Sequence, residues 1–76
     1  MKLTKEVAEQ IFDEMSDNCK NPSSVYIVRI LMRRFGLTLS EANNTRKKYF
    51  SVLATGPNNQ IINITAIDYE QWEEPC

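Results

Sequence analysis

The sequence predicts a mainly α domain of the α+β class: a compact three-helix unit followed by a short C-terminal β-strand or hairpin. Three observations carry this reading. Apolar residues recur at three- and four-residue spacing through the first two thirds of the chain, the period of a helix with one buried face. Gly36 and the run Thr55-Gly56-Pro57-Asn58-Asn59 interrupt that pattern with turn chemistry. Ile61 to Asp68 is rich in β-branched residues and alternates like a strand. At 76 residues, 42% hydrophobic and 25% charged, the chain reads as one folded domain, 1–76.

The first helix is expected over 5–18. Thr4 is a good N-cap, because its hydroxyl can accept from an orphan amide of the first turn. Val7, Ala8, Ile11, Phe12 and Met15 form its apolar stripe, and Glu6, Glu9, Gln10, Asp13 and Asp17 its solvated face. Asp17 to Ser24 is turn sequence throughout. Ser23 or Ser24 then caps a second helix over 24–35, with Val25, Val28, Leu31, Met32 and Phe35 inward and Ile27 and Ile30 widening the stripe. Arg29, Arg33 and Arg34 project from the remaining side. Gly36 stands where a left-handed residue ends a helix at no steric cost. Thr38-Leu39-Ser40-Glu41 is a capping box that starts a third helix over 39–53. Leu39, Ala42, Tyr49, Val52 and Leu53 line its inner stripe, with Phe50 at the edge. Asn43, Asn44, Lys47, Lys48 and Ser51 are expected to point away, with Arg46 between the faces. A strand over 61–68 needs a partner. Tyr49 to Ala54 supplies one if the third helix ends early; otherwise a second subunit does. Residues 69–76 form an acidic, aromatic tail in which Trp72 either plugs the core or joins a contact surface.

Composition narrows the chemistry. Histidine is absent, which removes the commonest general base and metal ligand. Cys19 and Cys76 lie far apart and form no local metal-binding pair. Two free thiols in a reducing cytoplasm are therefore expected. No apolar run approaches the ~20 residues of a membrane span, and the first ten residues lack the apolar core of a secretory signal. Ser40, Tyr26 and the cysteines have no adjacent base, and no glycine-rich loop is present, so neither an enzyme nor a cofactor is expected.

Charge is distributed unevenly. Residues 1–19 carry two lysines against five acids, 20–48 carry seven cations against Glu41 alone, and 49–76 carry four acids and no cation. The net charge of −1 hides a basic middle, and such a patch often faces an anionic partner. Two helices joined by a short glycine-containing turn match a helix-turn-helix unit, whose second helix offers its early residues to base edges. Asn43, Asn44 and Lys47 would be those residues, with Ser40, Arg33, Arg34, Arg46 and Lys48 meeting phosphates.

Arg33 to Phe50, RRFGLTLSEANNTRKKYF, resembles the core of helix-turn-helix domains. With a hairpin after residue 54 the whole resembles a small winged-helix domain. The resemblance covers about a third of the chain. It implies that Ala42 is the small residue allowing the two helices to pack closely, and that the protein is a regulatory DNA-binding one. The turn is longer on its polar side than the tightest of the family, and the acidic first helix and tail depart from a DNA-binding surface. The competing expectation is a small inhibitor or adaptor, of the kind phages and mobile elements make. It would bind a host protein through Tyr69, Glu70, Trp72, Glu73 and Glu74, with the aromatics as anchors. In either case a homodimer would enlarge a small core.

Overall fold

A computed structural model describes residues 3–20, 22–51 and 54–73. Four helices are present among them: α1 (Lys5–Asn18), α2 (Ser24–Phe35), α3 (Leu39–Tyr49) and α4 (Ala66–Gln71). Each begins on a hydroxyl cap. The Thr4 Oγ1 accepts from the Val7 amide and the Ser23 Oγ from the Tyr26 amide. Thr38 and Glu41 close the expected capping box on α3, in which the Glu41 amide donates to Thr38 and the Thr38 amide donates to Glu41. Gly36 ends α2 in the left-handed region, at φ 64° and ψ 30°. A side chain there would meet no neighbour, so glycine is required by backbone conformation rather than by space.

The core joins all three long helices. Ala8, Ile11 and Met15 of α1 meet Ile27, Val28 and Leu31 of α2, Ala42 of α3, and Phe50 and Ile64 from the connecting segments. Ile27, expected at the margin of its stripe, is wholly buried in this cluster. Phe12 is partly exposed and its ring centroid lies 6.1 Å from that of Phe50. The helices α2 and α3 pack directly on each other, with Ala42 wholly buried.

Three expectations need correction. First, α3 stops at Tyr49, not 53. Phe50 leaves helical geometry at φ −126° and ψ 48° and is buried in the core. Aromatic and β-branched residues are weak helix formers, so burying Phe50 outweighs one more turn. Val52 and Leu53 lie outside the described residues.

Second, no strand runs through 61–68. Among the described residues the only sheet-like pairing is an isolated antiparallel bridge between Thr55 and Ile61. It closes a turn in which the Gly56 amide donates to the Gln60 carbonyl at 2.7 Å and the Ile62 amide to the Ala54 carbonyl at 3.0 Å. Asn58 and Asn59 adopt positive φ within that turn, which asparagine tolerates better than most residues. Beyond it the backbone finds side-chain partners on α3 in place of a second strand. From Ala66 the chain is helical, because Thr65 and Asp68 form a second capping box.

Third, Cys19 is disulfide-bonded, and no free cysteine is found among the described residues. The expectation of a free thiol at Cys19 is corrected, and with it goes the argument from thiols to a reducing compartment; Cys76 lies outside the described residues. No helix among the described residues is long and apolar enough to cross a membrane.

Candidate nucleic-acid interface

The candidate surface is built on α3, which has two polar populations with opposite fates. Asn43 is only 6% exposed. Its carboxamide accepts from the Ile64 amide at 2.8 Å and donates to the Ile64 carbonyl at 2.8 Å. A carboxamide carries one acceptor and one donor group side by side, so it substitutes here for the peptide group of a neighbouring strand. Arg46 is 0% exposed and donates to the Ile62 carbonyl at 2.5 Å. Burial lowers the Arg46 pKa, yet a guanidinium stays protonated at neutral pH. These two side chains anchor 62–64 to the helix, and Asn43 satisfies backbone groups of buried Ile64 that would otherwise lack partners. Neither is presented outward to a base or a phosphate.

The other face remains available. Ser40, Asn44 and Lys48 are exposed and Lys47 is half-buried. Residues 40, 44 and 47 follow one another at helical spacing on this outer side. The Lys48 ammonium lies 5.2 Å from the Tyr49 ring centroid, a distance at which a cation is attracted by the aromatic face. Arg33 is exposed at the end of α2. Arg34, also exposed, is ion-paired with Glu14 of α1, an exposed pair of small energetic weight. Of the eight residues expected at a nucleic-acid surface, Arg33, Ser40, Asn44, Lys47 and Lys48 therefore remain at or near solvent. Arg34 is shared with α1, and Asn43 and Arg46 turn inward.

A residue absent from that expectation joins the same surface. Exposed Asn63 lines a shallow depression of about 240 Å³ together with Leu39, Ser40, Asn43 and Asn44. It stands between the two anchored residues Ile62 and Ile64. Only the folding of 62–64 onto α3 brings Asn63 beside Asn44, so no local pattern could have signalled it.

The alternative surface is partly consumed by packing. Trp72 is half-buried; its ring lies edge-on to Tyr26, centroids 6.0 Å apart. The Arg29 guanidinium lies 5.3 Å from the Trp72 ring centroid. Tyr69 is half-buried, Glu70 and Glu73 are exposed, and Glu74 lies outside the described residues. A larger cleft of about 350 Å³ lies between α1 and the end of α3, with Phe12, Tyr49 and Phe50 against Glu9 and Asp13. Its two carboxylates make it a poor host for a phosphate chain. No group of three or more metal-ligating side chains occurs among the described residues. Searches of family models, curated proteins and solved structures find no match to this chain.

Proposed function

We propose that this chain is a small, non-enzymatic DNA-binding protein of regulatory type, which sets the outer face of α3 against duplex DNA. The observation that carries the reading is the pairing of α2 and α3 across a turn set by Gly36 and the Thr38 capping box. That arrangement leaves Ser40, Asn44, Lys47 and Lys48 on one outer side of α3 with Arg33 nearby in sequence on α2. Arg33, Lys47 and Lys48 supply the phosphate contacts that dominate affinity, and Ser40 and Asn44 face the bases. The role needs no cofactor. A DNA target keeps the cytoplasmic reading, for which the Cys19 bond gives no support.

The test is a mobility or anisotropy titration on duplex DNA at several salt concentrations. Lys47→Ala with Lys48→Ala is expected to weaken binding to all sequences and to flatten the salt slope by about 2. Arg46 is left intact, since its replacement acts through the fold. Absence of binding at about 50 mM salt across varied duplexes rejects the reading.

A second reading, an inhibitor or adaptor that binds a host protein, draws on α4. There Ile67 is 64% exposed, three residues from exposed Glu70, and residues so spaced share a helix face. Capture from lysate with and without nuclease separates the two: a nuclease-resistant partner lost on Ile67→Ser favours the second.

A further inference from the structure

We infer that Asn63 is a base-contacting residue of this surface and that, with Asn44, it selects A·T base pairs. The inference rests on the DNA-binding reading above and names the kind of sequence that surface would prefer.

Residue 63 is held in place through both of its chain neighbours. Asn43 grips both backbone groups of Ile64, and Arg46 grips the carbonyl of Ile62. Both anchors are buried side chains of α3. Asn63 lies between them and is itself exposed, so its position is fixed by the helix that carries Ser40 and Asn44. A contact group placed by packed elements needs less ordering on binding than one on a free loop.

The chemistry of the depression is selective. Two exposed carboxamides and a hydroxyl line it, with the aliphatic Leu39 beside them and no lysine or arginine. A carboxamide pairs bidentately with the N6 and N7 edge of adenine, whereas guanine is read chiefly by arginine or lysine. An apolar side chain next to such a pair suits the methyl of thymine. The cations of the face stand outside the depression, so charge and base recognition are assigned to different side chains. Asn43 has the same chemistry but is spent on Ile64, which leaves Asn44 and Asn63 as the readers.

The experiment is selection of duplexes from a pool with a randomised core by the full chain, followed by sequencing and titration of the enriched duplexes. Wild type is expected to enrich A·T pairs. Asn63→Ala is expected to lose about tenfold discrimination at one position while its binding to the unselected pool stays within about twofold. Asn63→Asp presents acceptors only and is expected to move that position from adenine toward cytosine, whose N4 donates. Helical circular dichroism confirms that each variant folds. Wild-type binding without A·T enrichment, or enrichment unchanged in Asn63→Ala, overturns the inference and leaves the DNA-binding reading standing. No retention of any duplex at low salt overturns both.

Discussion

The inner and outer sides of α3 carry the same residue types and do opposite work. Asn43 and Asn44 are neighbours in sequence, yet one is enclosed and bonded twice to Ile64 while the other is exposed. Arg46 and Lys47 repeat the contrast: one cation is wholly enclosed and holds Ile62, the other is half-buried on the outer side. The lesson is that polarity does not decide burial. A polar side chain can occupy the interior where it meets complementary backbone groups, and the cost then falls on removing it.

The largest effect should come from breaking the inner cation. Arg46→Ala removes a fully enclosed side chain and strands the Ile62 carbonyl. It is expected to destabilise the fold by about 3 kcal/mol in urea unfolding, against about 0.5 kcal/mol or less for Lys47→Ala. Equal costs would show that the two cations are not divided between inside and outside.

The asparagine pair gives a smaller and cleaner comparison. Asn43→Ala leaves the Ile64 amide and carbonyl without their partner, which should cost about 2 kcal/mol. Asn44→Ala, at an exposed position, should stay within about 0.5 kcal/mol. Hydrogen exchange adds a local readout: the Ile64 amide should lose protection in the first variant and keep it in the second.

The smallest effect concerns the two capping boxes, one at the start of α3 and one at the start of α4. The backbone amide and then the hydroxyl of Thr38 hold the Glu41 carboxyl below its ordinary value of 4.5. The same groups of Thr65 hold Asp68 below 3.8. A carboxyl whose pKa is lower folded than unfolded stabilises fully above the unfolded value. That stabilisation is lost as the pH falls through the folded value. Stability should therefore decline as the pH drops below those ordinary values. Glu41→Gln with Asp68→Asn should show a smaller loss between about pH 6 and about pH 3 than wild type does. An identical loss would remove these two groups as its source.

The helix starts and the Gly36 stop were legible because capping is local. A hydroxyl reaches an amide three residues on whatever the rest of the chain does, and a positive φ favours glycine in any context. The box at Thr65 and Asp68 is equally local. It is overlooked when the alternation of Ile62, Ile64 and Ala66 is read as continuing through it. Helical phase also held a usable signal, since Asn43 and Arg46 fall on the same arc as Leu39, Ala42, Tyr49 and Phe50. Reading Asn43 as outward and Arg46 as between the faces let side-chain polarity override phase.

By itself, then, the sequence determined the caps of α1, α2 and α3, the bend between α2 and α3, most of the buried stripes of the first two helices and the concentration of cations in the middle of the chain. Each follows from interactions spanning a few residues, or from simple composition. Only tertiary structure decided that the segment after the Gly56 turn would be bound by side chains of α3 and not by a strand. It likewise decided that Asn63 would stand beside Asn44. Those partners are about twenty residues apart, as the Asn43 and Ile64 bonds show. Pairing at that range depends on which surfaces meet when the core closes, and no local pattern records it.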